Sequence, residues 1–356
     1  MKQERNQIIK CVVWDLDNTI WEGVLLEGSS VALRSGIREI ITTLDARGIL
    51  QSISSRNDYR SAMLKLREFK IDEYFLYPHI NWNSKAHSIK SIADKLNIST
   101  GSIAFVDDQQ YELDEVRYEL PEVTCIDAEN ISEMPNMIEM NPAYVSEDSR
   151  RRREMLIIDN IRKSDELEFV GPREDFLKSL NMELSIYEAG IHDLNRMLEL
   201  TQRTNQFNAT GYTYSFDELK SFILSPDFLL LSARLKDKYG NYGNIGLCLL
   251  EKGLESWTIK LLIVSCRVLS RGIGSILLSY AINMAFDEGK DLYAEFVPKD
   301  KNRMMHITFK FMNFKDYDTR GEVLILKHET DKKYSYPEYI NVSHQILFKQ
   351  NIQWKT

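Results

Sequence analysis

Two aspartates separated by one residue, Asp15 and Asp17, follow a short apolar segment near the start of the sequence. Where the chain turns out of the extended form at the end of a strand, two such carboxylates can point into one cleft. One carboxylate can then attack phosphorus, while the other gives a proton to the leaving oxygen and later activates water. Carboxylates this close repel each other and need a cation, and their hard oxygen atoms suit Mg²⁺. The pair predicts a magnesium-dependent phosphoryl-transfer site in which one of the two aspartates is the nucleophile.

Further polar residues occur at the ends of later predicted elements. Ser55, at the end of the second apolar run, offers a hydroxyl group to a phosphoryl oxygen. Lys85, at the start of a predicted helix, would supply positive charge to the nucleophile and the phosphate. Asp107, which ends the fourth apolar run, would complete the metal site, and the role of the adjacent Asp108 is left open. Each residue alone fits a turn, a solvated lysine or a helix cap, but their order along the chain favours one site.

Strand-like apolar runs alternate with amphipathic helices through the first part of the chain. The runs cover residues 8–14, 49–54, 75–80, 103–106 and 123–126. This alternation predicts right-handed βαβ units and a doubly wound parallel sheet. Ligands on such sheets bind at the carboxyl ends of the strands, so the polar residues named above would lie at one edge.

The sequence predicts two domains, because 356 residues exceed the size of one ordinary core. Residues 1–140 carry the α/β pattern, and residues 141–180 are predicted to be a helical connector. Residues 181–330 show a mixed α+β pattern. Residues 331–356 are polar and tyrosine-rich and are predicted to be a C-terminal tail.

The composition excludes several classes of function. A formal net charge of -8 argues against non-specific nucleic-acid binding, which needs a basic surface. The four cysteines form no CxxC pair, so the usual zinc and redox spacings are missing. No apolar run approaches the roughly 18 residues that span a bilayer, and the polar N-terminus resembles no secretory signal. We therefore expect a soluble, cytoplasmic protein.

Several segments are similar to those of one protein family. Residues 10–28 read KCVVWDLDNTIWEGVLLEG, residues 55–58 SRND, residues 204–208 TNQFN and residues 265–274 SCRVLSRGIG. In this order the segments resemble the FkbH-type proteins, which fuse a haloacid-dehalogenase-like phosphatase domain to a GNAT-like acyltransferase domain. The resemblance runs from about residue 8 to about residue 314, so it covers both predicted domains.

For the first domain, the resemblance implies a role for each of the polar residues. Asp15 would be the nucleophile and Asp17 the acid/base, while Ser55 and Lys85 would bind phosphate. Mg²⁺ would be held by Asp107, the carboxylate of Asp15 and the backbone carbonyl of Asp17.

For the second domain, the resemblance implies that Cys266 is the nucleophile of acyl transfer. The nearby Arg267 and Arg271 would favour the thiolate, which is the form that attacks an acyl carbon. The commoner fate of a cysteine in a strand is burial in the core, and that alternative stays open. Residues assigned to the substrate or the carrier arm are Asn205, Gln206, Asn208, Arg267 and His306, the last of which could act as a base.

The helix start at residues 272–274 resembles the turn with which acetyltransferases bind the coenzyme A pyrophosphate, since a helix N-terminus attracts anions. Leu269 stands where those enzymes usually have arginine or glutamine. The difference leaves open whether acetyl-CoA binds here, and a phosphopantetheine arm could use the same groove with fewer phosphate contacts.

The resemblance as a whole implies a bifunctional glyceryl transferase/phosphatase. The implied donor is 1,3-bisphosphoglycerate, the cofactor is Mg²⁺, and the acceptor is an acyl carrier protein with a phosphopantetheine arm, in polyketide-type biosynthesis. One alternative is a phosphatase only, whose second domain serves as a lid or a carrier-docking module. Another is a non-catalytic carrier-binding protein with a vestigial acid site.

Overall fold

The chain forms two compact units, which divide between Glu154 and Met155. The structure is a computed structural model that describes residues 8–28, 30–142, 144–203, 207–329 and 332–345. The division lies within the segment 141–180 that the sequence predicts to be a connector. None of the helices in the described ranges combines the length and the apolar character that crossing a bilayer requires.

The first unit contains a parallel sheet with helices between its strands. Its strands are β1 (Cys11–Trp14), β2 (Trp21–Glu22), β3 (Ala32–Leu33), β4 (Leu50–Ser55), β5 (His79–Ile80), β6 (Ile103–Asp107) and β7 (Thr124–Asp127). Its helices are α1 (Ile37–Ala46), α2 (Tyr59–Glu68), α3 (Lys85–Leu96), α4 (Gln110–Glu119) and α5 (Glu147–Arg150), followed by the start of α6 (Arg152–Glu168). Within the described part of this unit, five strands pair in the order β5-β4-β1-β6-β7, with parallel pairing throughout.

The three central strands are buried along their whole length, because helices cover both faces of the sheet. Every residue of β1, β4 and β6 is buried. Such continuous burial is typical of parallel sheets in doubly wound folds. The predicted doubly wound sheet is confirmed. The strand predicted at 75–80 is shorter than expected, since only His79 and Ile80 form β5, and Phe75 makes an isolated bridge to Gln51.

Two helices of the first unit begin a few residues after β4 and β5 end. The side chain of Asp58 accepts a hydrogen bond of 2.8 Å from Ser61 N and caps α2. The hydroxyl of Ser84 accepts one of 3.3 Å from His87 N and caps α3. Each cap satisfies a backbone N–H that has no partner within the helix. The caps fix the first turns of α2 and α3 at the carboxyl edge of the sheet.

This carboxyl edge carries little covering structure from its own unit. Strands β2 and β3 pair as a small antiparallel ribbon after β1. Only residues 56–58 separate β4 from α2. Within residues 8–28 and 30–142, these connections contain no insertion large enough to form a separate cap over the edge.

The second unit contains one large mixed sheet. Its strands are β8 (Met182–Glu188), β9 (Phe228–Asp237), β10 (Gly240–Lys252), β11 (Ser256–Val264), β12 (Asp291–Phe296), β13 (Phe314–Arg320), β14 (Val323–His328) and β15 (Ile340–Gln345). Besides most of α6, its helices are α7 (Arg173–Ser179), α8 (Leu194–Arg203), α9 (Phe216–Leu224), α10 (Ile273–Asp287) and α11 (Arg303–Phe311). In the described residues, these eight strands pair in the order β13-β14-β12-β11-β10-β9-β8-β15. The predicted α+β character of the second part of the chain is confirmed.

The edge strand β15 lies beyond residue 330, the predicted end of the second domain. It pairs in parallel with β8, and Ile340 is opposite Met182. Ile340 is buried in the main apolar core of the unit. The described residues of the predicted tail therefore extend the sheet of the second unit.

Candidate functional site

The site of the first unit begins with a turn directly after β1. Asn18 adopts a left-handed conformation with φ of 52°, and its side-chain oxygen accepts a hydrogen bond of 3.0 Å from Gly23 N. Asparagine tolerates this conformation better than most residues, because its short polar side chain can bond locally. The chain thus leaves the extended form between Asp17 and the next residues. Asp15 itself stays in the sheet, where its N–H donates to Val106 O at 2.9 Å.

Lys85 lies at the centre of the polar groups at the carboxyl edge. Its Nζ forms an ion pair with Asp15 Oδ1, lies 3.0 Å from Asp107 Oδ2 and donates a hydrogen bond of 2.8 Å to Ser54 O. The lysine is only 3% exposed. Burial favours the uncharged amine, but Asp15 and Asp107 together outweigh burial and hold the pKa of Lys85 above its ordinary value. The structure therefore brings together three predicted site residues from α3, β1 and β6.

Three carboxylates form a compact cluster beside this lysine. One oxygen atom from each of Asp15, Asp107 and Asp108 lies within 4.8 Å of the other two. Burial, followed by the negative charge of Asp15, raises the pKa of Asp107 to about 7. Asp108 Oδ1 is buried and accepts no hydrogen bond from the residues that the structure describes. A donor set of carboxylate oxygens in which Asp107 Oδ2 and Asp108 Oδ1 are buried without a hydrogen bond from the described residues fits Mg²⁺, and it includes Asp108, the residue whose role the sequence left open.

Asp17 lies at the same edge, but other groups bind its carboxylate. Trp21 Nε1 donates to Oδ1 at 2.7 Å, and Leu25 N donates to the same oxygen at 3.0 Å. Burial raises the pKa of Asp17 in spite of these two hydrogen bonds. A raised pKa keeps the proton on a carboxyl group up to a higher pH, which a proton donor requires. The predicted acid/base role of Asp17 and the predicted metal contact through its carbonyl both stay predictions.

Ser55 ends β4 as predicted, and it is buried. Two residues further on lies Asn57, which the sequence analysis did not select. Asn57 is 2% exposed, and its Nδ2 donates a hydrogen bond of 2.9 Å to Asp17 Oδ2. The sequence signal that could have identified Asn57 is an amide inside the SRND segment, next to Asp58, which caps α2. We interpret Asn57 as a positioning residue that holds the Asp17 carboxyl group.

Replacing Asn57 with alanine is expected to lower kcat of the phosphoryl transfer that the sequence predicts by about 10-fold, while KM changes little. The hydrogen bond from Asn57 would orient the proton donor Asp17 and does not involve the substrate, so KM should be little affected. A well-placed acid accelerates the reaction by much more than about 10-fold, so losing its orientation can cost a fall of about 10-fold in kcat. Steady-state kinetics with a small phosphomonoester would test the expectation. Asn130→Ala, an exposed amide of the same unit, is the control. A rise in KM at constant kcat would show that Asn57 binds substrate instead.

The second unit has a cleft between two strands, and part of the chain fills it. Strands β11 and β12 pair in parallel only from Ser256 to Ile259 on the β11 side. Beyond that point, residues 207–209 lie between the two strands as an inserted segment. Ala209 N donates to Leu262 O, and Val264 N donates to Phe207 O, both at 3.0 Å. Val297 N, just after β12, donates to Ala209 O at 3.0 Å.

Buried asparagines hold this inserted segment in place. Asn302 Nδ2 donates to the carbonyls of Val297, Asn208 and Ala209 at 2.9, 3.1 and 3.3 Å. The side chain of Asn208 bonds Gly211 N and Tyr212 O. Both the oxygen and the nitrogen of the Asn208 amide therefore bond the backbone that follows the segment. The predicted contact of Asn208 with substrate or carrier arm stays a prediction. Asn205 and Gln206, the other predicted residues of this motif, lie outside the described residues.

Cys266 begins a short 3₁₀ helix, Cys266–Arg271, two residues after β11. Its side chain lies outside the described part of the structure. The two neighbouring guanidinium groups bind other partners. Arg267 Nη2 donates to Tyr242 O at 2.9 Å, and the buried Arg271 forms an ion pair of 3.0 Å with Glu166. The predicted activation of the Cys266 thiolate by these arginines stays a prediction.

The start of α10, predicted to face the phosphates of a cofactor or carrier arm, is closely approached by another side chain. Gly272 has φ of 75°, and a Cβ at this position would lie 2.6 Å from the hydroxyl oxygen of Tyr339. The position therefore requires glycine both for its backbone conformation and for its contact with the described tail. An anion bound at this helix start would have Tyr339 as a neighbour.

His306 lies on α11, and its ring stacks on Phe296 with ring centres 4.7 Å apart. Burial, followed by the charge of Lys310, lowers the pKa of His306. Its Nε2 is buried and has no hydrogen-bond partner among the described residues. The imidazole is thus neutral at physiological pH, as a base must be, but no described nucleophile contacts it.

Comparison with known proteins gave structural similarities of two kinds. No family model and no curated protein matches the sequence. Among solved structures, the N-terminal part of BF1531 from Bacteroides fragilis, a phosphatase domain complexed with Mg, is 28% identical with a TM-score of 0.30. That match covers 36% of this chain and 39% of the other.

The second kind consists of acetyltransferases. PaiA N-acetyltransferase from Thermoplasma acidophilum, in complex with coenzyme A, is 18% identical over 41% of this chain and 99% of its own, with a TM-score of 0.34. The ribosomal-protein-S18-alanine N-acetyltransferase from Escherichia coli is 17% identical over 41% and 92%, with a TM-score of 0.32.

In the described residues, the strand order and pairing show an α/β unit with a parallel five-stranded sheet, followed by an α+β unit with a mixed eight-stranded sheet.

Proposed function

We propose that the first unit is a magnesium-dependent phosphatase of the haloacid-dehalogenase type. The observation that carries the proposal is the cluster of the buried Asp15 and Asp107, both paired with Lys85, and the half-buried Asp108, with Asp17 at the same edge of the sheet. Buried carboxylates are costly unless they are paired or bind a cation, so such a cluster indicates a functional site. Bound Mg²⁺ would neutralise the carboxylates and polarise the phosphoryl oxygens.

The proposed phosphatase reaction uses the chain's own residues as follows. A carboxylate oxygen of Asp15 attacks phosphorus, and the bond between phosphorus and the substrate oxygen breaks. Asp17 donates its proton to that leaving oxygen. Asp17 then takes a proton from water, the water oxygen attacks the phosphorus of the aspartyl phosphate, and inorganic phosphate leaves. Lys85 holds the Asp15 carboxylate in place and supplies positive charge to the transferred group.

We further propose that the whole chain is a glyceryl transferase/phosphatase acting on 1,3-bisphosphoglycerate. The Cys266 thiolate would attack the acyl carbon, and the bond to the acyl phosphate would break to release inorganic phosphate. The thiolate of a carrier's phosphopantetheine arm would then attack the thioester carbon, and Cys266 would leave as a thiolate. An acyl phosphate is reactive enough for this step without ATP, whereas the remaining phosphomonoester resists water and needs the first unit. The support for this proposal is the sequence resemblance together with the two fold types.

A feature of the second unit favours the simpler alternative, a phosphatase whose second unit only docks a carrier. The inserted segment 207–209 occupies the cleft between β11 and β12, where a substrate arm would otherwise bind. Under this alternative, Cys266 forms no thioester.

Replacing Cys266 with alanine distinguishes the two functions. The chain is incubated with Mg²⁺ and 1,3-bisphosphoglycerate, with and without a holo acyl carrier protein, and every protein is examined by intact-mass spectrometry. In the bifunctional case the carrier gains a glyceryl group without phosphate. Cys266→Ala then loses both the enzyme adduct and carrier loading, while hydrolysis of a small phosphomonoester is unchanged. If the wild-type chain gives neither adduct nor loading, only the phosphatase proposal stands. The buried Cys248 provides a matched Cys→Ala control.

A further inference from the structure

Helix α11 carries an apolar stripe on its solvent side. The helix buries Met305 and Phe309 in the core. Met304, Ile307 and Phe311 are nevertheless 57%, 36% and 83% exposed. Their spacing of three and four residues places them on one face of the helix. Single exposed apolar residues are ordinary, but a row of three large ones on one helix face is typical of an interaction surface.

The segment that carries this stripe has a small excess of positive charge, although the chain as a whole is acidic. Residues 299–316 include five lysines or arginines and two aspartates, in a chain of net charge -8. Lys310 pairs with Asp316, and Lys315 pairs with Glu329. Lys299 and Arg303 are exposed near the start of the helix. This charge favours an acidic partner. A second copy of the chain is disfavoured, because a two-fold contact would place one basic surface against the other.

The helix also begins beside the cleft of the second unit. Asn302, the residue before α11, bonds Val297 at the end of β12 and the inserted segment 207–209. The 3₁₀ helix that starts at Cys266 follows β11 at the same edge of the sheet. A partner that lies along α11 therefore has the carboxyl ends of β11 and β12 within reach of a long, flexible arm.

We infer that the stripe of Met304, Ile307 and Phe311, with Lys299 and Arg303, is the docking surface for an acidic helix of the carrier protein. The inference rests on the proposed function, in which a carrier accepts the acyl group or presents it to the phosphatase. Apolar side chains would supply most of the affinity, and the basic residues would accelerate and orient the encounter. The phosphopantetheine arm would then reach the edge at which Cys266 lies.

The test compares variants of the full chain in binding and in carrier loading. The probe is a strongly acidic, free-standing acyl carrier protein in its holo and apo forms. Phe311→Ser and Arg303→Glu are expected to weaken binding of both forms at least about 10-fold, because the contact involves protein surfaces and not the arm. The effect of Arg303→Glu should shrink as salt is raised. Leu254→Ser, in the turn between β10 and β11 and 93% exposed, and Lys220→Glu, on α9, are controls expected to bind normally.

The outcomes separate this inference from the function on which it rests. Weaker binding and slower loading by the α11 variants, with unchanged thermal unfolding and unchanged hydrolysis of para-nitrophenyl phosphate, support the docking surface. Normal binding and loading by both variants would refute the surface and leave the proposed function intact. If the wild-type chain neither binds nor loads the carrier while its phosphatase is active, the carrier function itself fails, and the inference fails with it.

Discussion

Phosphatase turnover is expected to fall by about 10⁴-fold when Asp15 is replaced with asparagine, because the variant has no carboxylate to attack phosphorus. The amide has nearly the same shape, so the substitution removes the nucleophile without opening a cavity. It also removes one of three crowded negative charges, and we therefore expect thermal stability to be retained. The measurement is the rate of phosphate release from a small phosphomonoester in saturating Mg²⁺, together with a thermal melt.

The control for this variant is Asp94→Asn, an exposed aspartate near the C-terminal end of α3. Phosphate release should be unchanged in this protein. Wild-type turnover by a stably folded Asp15→Asn variant would contradict the assignment of the nucleophile and with it the proposed phosphatase mechanism. A phosphate analogue that forms an adduct on the wild-type aspartate, but not on the Asp15→Asn variant, would support the assignment independently of rate.

Loss of Lys85 is expected to impair both stability and activity. Lys85→Met would leave the buried carboxylates of Asp15 and Asp107 without their shared positive charge. Removing one partner from a buried ion pair typically costs about 3 kcal/mol or more in the free energy of unfolding. We expect a loss of this size in urea unfolding in the presence of a chelator. Saturating Mg²⁺ should restore part of the stability, because a divalent cation at the cluster replaces the missing charge.

Lys90→Met on the same helix is the matched control. Lys90 is half exposed, and its Nζ lies 3.7 Å from Glu119 Oε2 in a surface ion pair. Such pairs contribute at most about 1 kcal/mol. Equal free energies of unfolding for Lys85→Met and Lys90→Met would mean that Asp15 and Asp107 become protonated, and therefore uncharged, when the lysine is absent. A Lys85→Met variant with full phosphatase activity would show that the lysine has no part in catalysis.

The sequence predicts the first unit well because its signals are local. Buried strands appear as continuous apolar runs, and Asp58 and Ser84 mark helix starts through caps that depend only on neighbouring residues. Asp15, Lys85 and Asp107 could be placed together because parallel strands bring their carboxyl ends to one edge. Asn57 was missed since its role depends on a contact with Asp17, 40 residues earlier in the chain. No local pattern distinguishes such an amide from a turn residue.

The second unit was harder to predict in detail, because its distinctive features depend on long-range pairing. Strand β15 follows a polar, tyrosine-rich stretch, and its pairing with β8 joins residues more than 150 positions apart. The inserted segment 207–209 bonds two strands that follow it by more than 50 residues. The amides of the TNQFN motif suggested ligand contacts, and these contacts stay predictions. The bonds that the Asn208 side chain makes with Gly211 N and Tyr212 O could not be predicted from the motif.

The inserted segment also bears on the solubility of the chain. Where β11 and β12 separate, each would otherwise present unpaired N–H and C=O groups, a template to which strands of other molecules can add. Residues 207–209 satisfy the groups on Leu262, Val264 and Val297. Variants that shorten or loosen this loop would therefore be prone to intermolecular strand pairing and aggregation, even where the apolar core is untouched.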